Sequence, residues 1–176
     1  MKINKIILLG YMGSGKSAVG SQLNKEINVT YCDLDHYIEK QLQESIDSIF
    51  KTKGEIYFRK MERHYLEKVL KTNSSLILSI GGGTPCYYDT MQYLNAMQNS
   101  KTIYLNTSVL ELSKRLFEAQ SSRPLLKYLK SLEDFQEFVG KHMFERSFFY
   151  NQANVSIKTD KRTISEVSEL IKAELA

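Results

Sequence analysis

An eight-residue segment near the start of the chain, Gly10 to Ser17, constrains the fold more than any other feature. Its sequence, Gly-Tyr-Met-Gly-Ser-Gly-Lys-Ser, matches the pattern G-x-x-x-x-G-K-[ST], in which a glycine-rich loop surrounds phosphate groups. The apolar run Ile6–Leu9 precedes this phosphate loop, and a stretch with helical composition follows it. A strand, a phosphate loop and a helix in this order predict a parallel α/β sheet that binds a nucleotide at its edge.

The residue types in the phosphate loop suit this chemistry. Glycines at 10, 13 and 15 permit backbone torsions that a Cβ resists, so successive N–H groups can point at one centre. Lys16 is expected to reach the β- and γ-phosphates, and the Ser17 hydroxyl is expected to ligate Mg²⁺. The helix that starts near Lys16 directs its positive end at the phosphates. We expect the nucleotide to contact Gly13, Ser14, Gly15, Lys16, Ser17 and Ala18.

Short apolar runs alternate with longer helical segments along the chain, which is typical of a parallel sheet covered by helices. The predicted strands are Lys5–Leu9, Val29–Asp33, Leu76–Ile80, Thr102–Leu105 and Asn154–Lys158. The predicted helices are Lys16–Glu26, Asp35–Glu44, Ile46–Thr52, Glu55–Lys71, Tyr87–Asn99, Ser108–Ala119, Leu132–Ser147 and Ile164–Ala173. These segments predict a three-layer α/β fold, with a five-stranded parallel sheet flanked by helices.

One interval departs from the alternation. Between about residues 35 and 72 the sequence predicts two or three helices and no strand, which is more than one crossover requires. We interpret this interval as a helical insertion that binds the acceptor; the alternative is a second covering helix with no role in binding. A polar segment at about residues 117–130 is predicted to form a lid loop, and residues 1–176 are predicted to form one domain.

Composition excludes several classes of protein. The chain has 176 residues, 42% hydrophobic and 25% charged, with a net charge of +4, and its Lys residues are scattered, so no nucleic-acid partner is expected. No stretch approaches the roughly 18 apolar residues of a membrane span, and the N-terminal apolar run lacks a cleavage site. Cys32 and Cys86 have no metal or redox spacing. We therefore expect a cytoplasmic protein, and the lack of a heptad pattern predicts a monomer.

Two carboxylates, Asp33 and Asp35, are predicted to end the second strand at the rim where ligands bind in α/β sheets. Alternation along an extended chain would point both side chains the same way. Asp33 could hold Mg²⁺ or one of its waters, while Asp35 could accept a hydrogen bond, and a proton, from an acceptor hydroxyl. The alternative is that Asp35 only caps the following helix.

Two further segments have the composition of an acceptor site. Arg59 and Glu62 lie three residues apart on a predicted helix, where a Glu can orient the guanidinium toward a carboxylate; the alternative is a solvated surface pair. Gly81, Gly82 and Gly83 follow the third strand, so a ligand could approach bare backbone there. No Walker-B Asp ends that strand, because Ser79 lies in its place.

Two arginines near the end of the chain complete the candidate residues. Arg123, in the polar lid segment, is predicted to neutralise charge on a transferring phosphoryl group. Arg146 is either a second ligand for an acceptor carboxylate or a cation that stabilises a helix end.

Taken together, these segments resemble the shikimate kinase family, within the P-loop kinases related to nucleoside-monophosphate kinases. The resemblance covers nearly the whole chain. Its motifs occur in order as G-x-M-G-S-G-K-S at Gly10–Ser17, D-x-D at Asp33–Asp35, F-R-x-x-E at Phe58–Glu62, G-G-G at Gly81–Gly83, R-P-L-L at Arg123–Leu126 and R-x-x-x-Y-x-x-A at Arg146–Ala153.

The resemblance implies transfer of the ATP γ-phosphate to the 3-hydroxyl of shikimate, with Mg²⁺, in aromatic amino-acid biosynthesis. It implies that Arg59 and Arg146 bind the acceptor carboxylate, Asp35 its hydroxyls and Gly81–Gly83 its ring. Lys16 and Arg123 would stabilise the phosphoryl group, Ser17 and Asp33 would place Mg²⁺, and Arg115 would contact the nucleotide. The alternatives are another small-molecule kinase, such as one acting on gluconate, and a non-catalytic nucleotide-binding regulator.

Overall fold

The computed structural model describes residues 3–120, 126 and 128–175, which form a parallel sheet surrounded by helices. The strands are β1 (Lys5–Leu9), β2 (Tyr31–Asp33), β3 (Leu76–Ser79), β4 (Ser100–Asn106) and β5 (Val155–Lys158). Every strand pair is parallel, and the order across the sheet is β2-β3-β1-β4-β5. The predicted five-stranded parallel sheet is therefore confirmed.

The helices of the described residues connect these strands. They are α1 (Lys16–Ile27), α2 (Leu34–Leu42), α3 (Ile46–Thr52), α4 (Gly54–Thr72), α5 (Thr90–Ala96), α6 (Val109–Glu118), α7 (Leu132–Tyr150) and α8 (Ile164–Leu175), with a short 3₁₀ helix at Thr84–Cys86. Within this part of the chain none of the helices is both long and apolar enough to cross a bilayer.

Alternating side chains of β1 divide the core between the two faces of the sheet. Ile6 and Leu8 pack with apolar residues of α1 and α8. Ile7 and Leu9 face the opposite way, into a larger cluster that includes residues of α2, α4 and α7. Because successive side chains of a strand point to opposite faces, one apolar strand can be buried on both sides. This burial fixes β1 at the centre of the sheet, with the phosphate loop at its carboxyl end.

The observed helices and strands differ from the sequence prediction in a few places. The second strand begins at Tyr31 instead of Val29, and the fourth is longer, beginning at Ser100. The predicted helix Tyr87–Asn99 is shortened to Thr90–Ala96, because the 3₁₀ helix and the left-handed residue Tyr88 (φ 56°) precede it. Met97, in extended conformation, ends it.

Candidate active site

The phosphate loop connects β1 to α1 with the backbone geometry that the glycines predict. Gly10, Gly13 and Gly15 have φ of 144°, 84° and 95°, a region that residues with a Cβ rarely adopt. The Lys16 ammonium folds back over the loop, donating hydrogen bonds to the carbonyls of Gly10 (2.8 Å) and Tyr11 (3.1 Å). The loop is therefore curved around the side chain that is predicted to meet the β- and γ-phosphates.

A cavity of about 420 Å³, the main cavity, opens beside the loop. Its volume lies in the range of small-molecule sites. The main cavity brings part of the predicted nucleotide, metal and acceptor residues onto one surface, although they come from three separate parts of the chain. Its lining comprises Met12, Gly13, Gly15, Lys16, Ser17, Ala18, Asp33, Asp35, Ile80, Gly81 and Gly82.

Asp33, at the end of β2, uses its two carboxylate oxygens differently. Oδ1 accepts hydrogen bonds from the backbone N–H groups of Asp35 (3.1 Å) and His36 (3.3 Å), which makes Asp33 the N-cap of α2. Oδ2 lies 3.4 Å from both the Ser17 hydroxyl and the Tyr31 hydroxyl. The alternative that Asp35 caps this helix is therefore wrong, because the capping carboxylate is that of Asp33.

Asp35 lies in the first turn of α2, so β2 has already ended where strand alternation was expected to continue. The two carboxylates nevertheless line the same cavity. Burial raises the pKa of Asp35 to about 6, with further increases from the charges of Asp33 and Glu62 and a decrease from Lys16. A carboxylate with this pKa is mostly ionised at pH 7 and can still exchange a proton near that pH.

The Gly81–Gly83 segment, here called the glycine run, lies where neighbouring groups leave little room for a side chain at Gly81 or Gly83. A Cβ at Gly81 would lie 3.1 Å from Asp35 Oδ1, and one at Gly83 would lie 2.7 Å from Arg59 Nη2. At Gly82 the nearest atom is the Gly10 carbonyl oxygen of the phosphate loop, at 3.4 Å. The run therefore separates the phosphate loop from Arg59 by the thickness of bare backbone.

The alternative that Arg59 and Glu62 form a solvated surface pair is wrong. Its side chain is 13% exposed and donates a 2.9 Å hydrogen bond to Glu62, which is buried and also accepts one from Thr84 (2.6 Å). The guanidinium lies 4.1 Å from the ring centroid of Tyr87. Burial alone would lower the pKa of Arg59, but the charges and hydrogen bonds of its neighbours raise it above its usual value. The guanidinium group of Arg59 therefore has a fixed direction and a permanent charge.

Arg146 lies on α7, four residues before the last residue of that helix, with its guanidinium 5.4 Å from the ring centroid of Tyr11. Burial raises the pKa of the Cys86 thiol, and the charges of Arg146 and Arg59 both oppose that rise. Arg146 also contributes, with Arg59, to the lowered pKa of Glu55, after the larger effect of the hydrogen bond from Tyr87. The two guanidinium groups thus act on the same small region beside the glycine run.

A second cavity, of about 260 Å³, lies on the other side of the phosphate loop. Arg115 lines it and donates hydrogen bonds to Glu111 (2.9 Å) and to the Gly13 carbonyl (3.3 Å). Thr159, Arg162 and Thr163, from the segment between β5 and α8, form part of its wall. Ser14, which also lines this cavity, is 2% exposed, and its hydroxyl has no hydrogen-bond partner among the described residues. Arg123 and the part of the predicted lid at 121–125 and 127 fall outside the described residues.

Sequence reasoning missed several residues around the main cavity. The Tyr31 hydroxyl lies 3.1 Å from the Ser79 hydroxyl and 3.4 Å from Asp33 Oδ2, and its ring occupies the space beside Gly20, where a Cβ would lie 2.2 Å from it. Strand alternation gives a signal for Tyr31, since it lies two residues before Asp33. His142 was also missed, although it lies one helical turn before Arg146 and therefore on the same face of α7.

The fold and the main cavity define a class of protein. A phosphate loop after the central strand, a carboxylate beside its lysine and a buried arginine next to bare backbone are typical of P-loop kinases that phosphorylate a small anionic molecule. A family model described as shikimate kinase matches residues 12–176. The chain belongs to the shikimate kinase family.

Individual relatives agree with this assignment over nearly the full chain. A shikimate kinase from Flavobacterium johnsoniae is 42% identical over 164 residues, which cover 93% of this chain and 94% of that protein. The crystal structure of shikimate kinase from Bacteroides thetaiotaomicron matches with a TM-score of 0.88 and 32% identity, covering 97% of both chains. Shikimate kinase from Acinetobacter baumannii in complex with shikimate matches with a TM-score of 0.84 and 28% identity, covering 98% of this chain and 93% of that one.

Proposed function

We propose that this protein transfers the γ-phosphoryl group of ATP to the 3-hydroxyl of shikimate, giving shikimate 3-phosphate and ADP. The observation that carries this proposal is the main cavity, in which Lys16 and Asp35 line one surface with the glycine run. Membership of the shikimate kinase family supports the choice of acceptor.

The acceptor is a carboxylate-bearing ring with hydroxyl groups, and the site offers a partner for each part. Arg59 and Arg146 bind the carboxylate, because a planar guanidinium can donate two parallel hydrogen bonds to it. The glycine run lets the ring lie against backbone. Asp35 accepts hydrogen bonds from the ring hydroxyls, and its position beside Lys16 places one hydroxyl next to the phosphate loop.

In the reaction, the 3-oxygen of shikimate forms a bond to the γ-phosphorus while the bond from that phosphorus to the bridging oxygen of ADP breaks. The hydroxyl proton goes to Asp35, whose raised pKa suits a general base near neutral pH. Lys16 stabilises the negative charge that shifts onto the phosphate oxygens. In the proposal, Arg123 from the lid segment adds a second positive charge to this group.

Mg²⁺ fits the oxygen donors at the mouth of the main cavity. The Ser17 hydroxyl and Asp33 Oδ2 lie 3.4 Å apart, and Mg²⁺ in kinases typically takes one or two protein oxygens together with substrate phosphates and water. Ser17 and Asp33 would hold the ion directly or through one of its waters. When bound, Mg²⁺ neutralises charge on the phosphates of ATP.

The remaining parts of the proposal concern the nucleotide and the state of the protein. The second cavity, with Arg115 on its wall, is proposed to receive the base of ATP, because a guanidinium can stack on an aromatic ring. We propose that the protein acts as a monomer in the cytoplasm, with ATP and shikimate as its partners and no nucleic acid or membrane.

The direct test is release of ADP from Mg·ATP in parallel reactions with shikimate, gluconate, nucleoside monophosphates and no acceptor. We expect release only with shikimate. An Asp35→Asn variant should lose this activity, while an Asp47→Asn variant should keep it, because Asp47 is an exposed residue of α3 that pairs with Lys51.

Other outcomes would contradict defined parts of the proposal. Release with gluconate in place of shikimate would keep the kinase and reject the acceptor assigned to Arg59, Arg146 and the glycine run. No release in any reaction, from folded protein that binds ATP, would favour a non-catalytic nucleotide-binding regulator.

A further inference from the structure

Residues at a spacing of four on α7 form one contact face toward the site. They are Phe138, His142, Arg146 and Tyr150, and this spacing places them on the same side of the helix. The ring of Phe138 lies edge-on to His142, with centroids 4.4 Å apart, and Tyr150 is fully buried against Tyr104. Arg146 is therefore bracketed by a residue with its own contacts one turn before it and another one turn after it.

Both bracketing residues make hydrogen bonds across the site. The Tyr150 hydroxyl donates to the Gly82 carbonyl at 2.5 Å, which joins α7 to the glycine run. His142 Nδ1 and the Tyr11 hydroxyl are 2.6 Å apart, which joins α7 to the phosphate loop. Burial lowers the pKa of His142 and raises that of Tyr11 to about 12, so a hydrogen bond joins two neutral groups near pH 7, and the tautomer of His142 sets which of them donates.

Tyr11 connects this face to the nucleotide side of the site. Its backbone carbonyl accepts a 3.1 Å hydrogen bond from the Lys16 ammonium, and the Arg146 guanidinium lies over its ring at 5.4 Å. The side chain is 1% exposed, so the ring has little freedom to change its position. One residue of the phosphate loop thus contacts both the predicted phosphate-binding lysine and the helix that carries the second carboxylate-binding arginine.

We propose that the hydrogen bond between Tyr11 and His142 positions Arg146 for the acceptor carboxylate, relative to the phosphate loop. This inference rests on the proposed function, because it assigns Tyr11 and His142 as positioning residues for that acceptor. The hydroxyl of Tyr11 holds α7 in position against the phosphate loop, and the Tyr11 ring packs against the guanidinium group of Arg146. The loss of the hydroxyl leaves the ring in place and removes only the connection to α7.

The test compares acceptor binding in the wild type and in Tyr11→Phe by calorimetry, with shikimate and ADP titrated separately. We expect Tyr11→Phe to raise the Kd of shikimate about 3- to 10-fold, the range expected from one lost hydrogen bond. The Kd of ADP should stay within about twofold, because the loop backbone is unchanged. In turnover, the KM of shikimate should rise more than kcat falls.

A matched control is Tyr93→Phe, which also loses a hydroxyl from a ring with an arginine over it, Arg63 at 4.3 Å. Tyr93 lies on α5, outside the lining of the main cavity, so shikimate binding should not change. His142→Leu should reproduce Tyr11→Phe, and His142→Asn should partly restore affinity, because its amide can replace Nδ1. The double variant Tyr11→Phe/His142→Leu should be no weaker than the poorer single variant.

The outcomes separate this inference from the function on which it rests. If the wild type binds shikimate and Tyr11→Phe binds it equally well, the positioning role is rejected and the kinase assignment stands. Additive losses in the double variant would reject it too, since the two residues would then act independently. Failure of the wild type to bind shikimate would overturn the proposed function, and the positioning role with it.

Discussion

The two glycine-rich segments that border the main cavity differ in why they contain glycine. In the phosphate loop the glycines adopt positive φ, and around Gly15 nothing lies within 4 Å of where a Cβ would be. In the glycine run no residue has positive φ, yet a Cβ at Gly81 or Gly83 would lie within about 3 Å of a side chain. Gly15 thus serves backbone torsion, Gly10 serves both torsion and space because its Cβ would lie 2.9 Å from the Leu105 carbonyl oxygen, and Gly81 and Gly83 serve space.

In the proposed function, this difference separates the nucleotide side of the site from the acceptor side. Torsion in the phosphate loop aims N–H groups at phosphates, so the nucleotide side is built largely from backbone. Because Gly81 and Gly83 have no side chains, Asp35 and Arg59 can lie against their backbone. The acceptor side is therefore built from side chains of different elements. Substitutions in the two segments should therefore affect different substrates.

The largest effect should come from Asp35, whose carboxylate lies beside Gly81. Asp35→Asn keeps the shape of the side chain and removes the base, so kcat should fall by about 10² to 10⁴. In the wild type, activity should decline as the pH drops through about 6, since Asp35 then becomes protonated. A pH–rate profile of kcat and a single-turnover measurement of the variant check both. Unchanged turnover in the folded variant would reject the catalytic role.

The same substitution has a predicted effect on stability with a defined sign. Because the pKa of Asp35 is raised in the folded protein above its ordinary value of 3.8, the ionised form costs stability, increasingly as the pH rises from about 4 through 6. Asp35→Asn removes this cost, so the free energy of unfolding at pH 7 should rise by roughly 1–3 kcal/mol. Denaturant unfolding at pH 7 and pH 4 tests it, and an equal gain at both pH values would contradict it.

Gly83→Ala should weaken the acceptor side next most strongly. The new Cβ would lie 2.7 Å from Arg59 Nη2, the end of a flexible side chain, so the arginine should move while the fold persists. We expect the KM of shikimate to rise about 10- to 100-fold, as for a misplaced charged partner, and the KM of ATP to stay nearly constant. Gly140→Ala on α7 is the control, since its Cβ would make only an ordinary contact at 3.9 Å. Parallel losses for both substrates would contradict the assignment of the run to the acceptor.

Gly15→Ala should affect the nucleotide side instead. With φ of 95° and open space around it, the cost is torsional strain of about 1–3 kcal/mol. We expect ADP to bind about 5- to 30-fold more weakly and shikimate to bind as before, both measured by calorimetry. Gly54→Ala is a close control: its φ is 81° and no atom lies within 4 Å, but it starts α4, away from the loop. Equal loss of ADP binding in both variants would show a general stability effect.

The smallest effect should come from Tyr31→Phe. The hydroxyl that contacts Ser79 and Asp33 is lost, while the ring can still pack against Gly20. With Asp33 less well oriented, the Mg²⁺ concentration for half-maximal activity should rise about 2- to 5-fold. This effect is smaller than the roughly 10- to 100-fold that follows the loss of a partner of a direct metal ligand. Binding of Mn²⁺ to the ADP complex, followed by electron paramagnetic resonance, gives a readout independent of turnover. Tyr65→Phe is the control, because Tyr65 lies on α4 and outside the lining of the main cavity. Equal Mn²⁺ affinity in the two variants would reject the role of Tyr31.

The sequence correctly placed Asp33 and Asp35 near each other, but the geometric reason for this prediction was wrong. The sequence predicts that Asp33 and Asp35 serve one site, and both carboxylates line the main cavity. The expected cause, alternation along a strand, is wrong because Asp33 caps α2 and Asp35 already belongs to the helix. The sequence contained the capping signal, an Asp before a helical segment, but could not tell which Asp used it.

Arg59 shows the limit of local reasoning. A pair of opposite charges three residues apart on a helix is most often exposed, and nothing in the spacing indicates burial. In the fold, Thr84 beyond the glycine run donates a hydrogen bond to Glu62. This contact and the Tyr87 ring, both from other elements, hold the pair in place and leave the Arg59 side chain 13% exposed.

By itself the sequence determined the sheet, the phosphate loop and the order of the motifs, because apolar runs, glycine torsions and helix signals act over a few neighbouring residues. The tertiary structure decided which face of α7 meets the loop, how Tyr11 and His142 pair 131 residues apart, and that Arg59 and Arg146 act on one region. These contacts depend on the packing of whole helices against the sheet. Their energies arise between surfaces that are distant in the chain, so no local pattern encodes them.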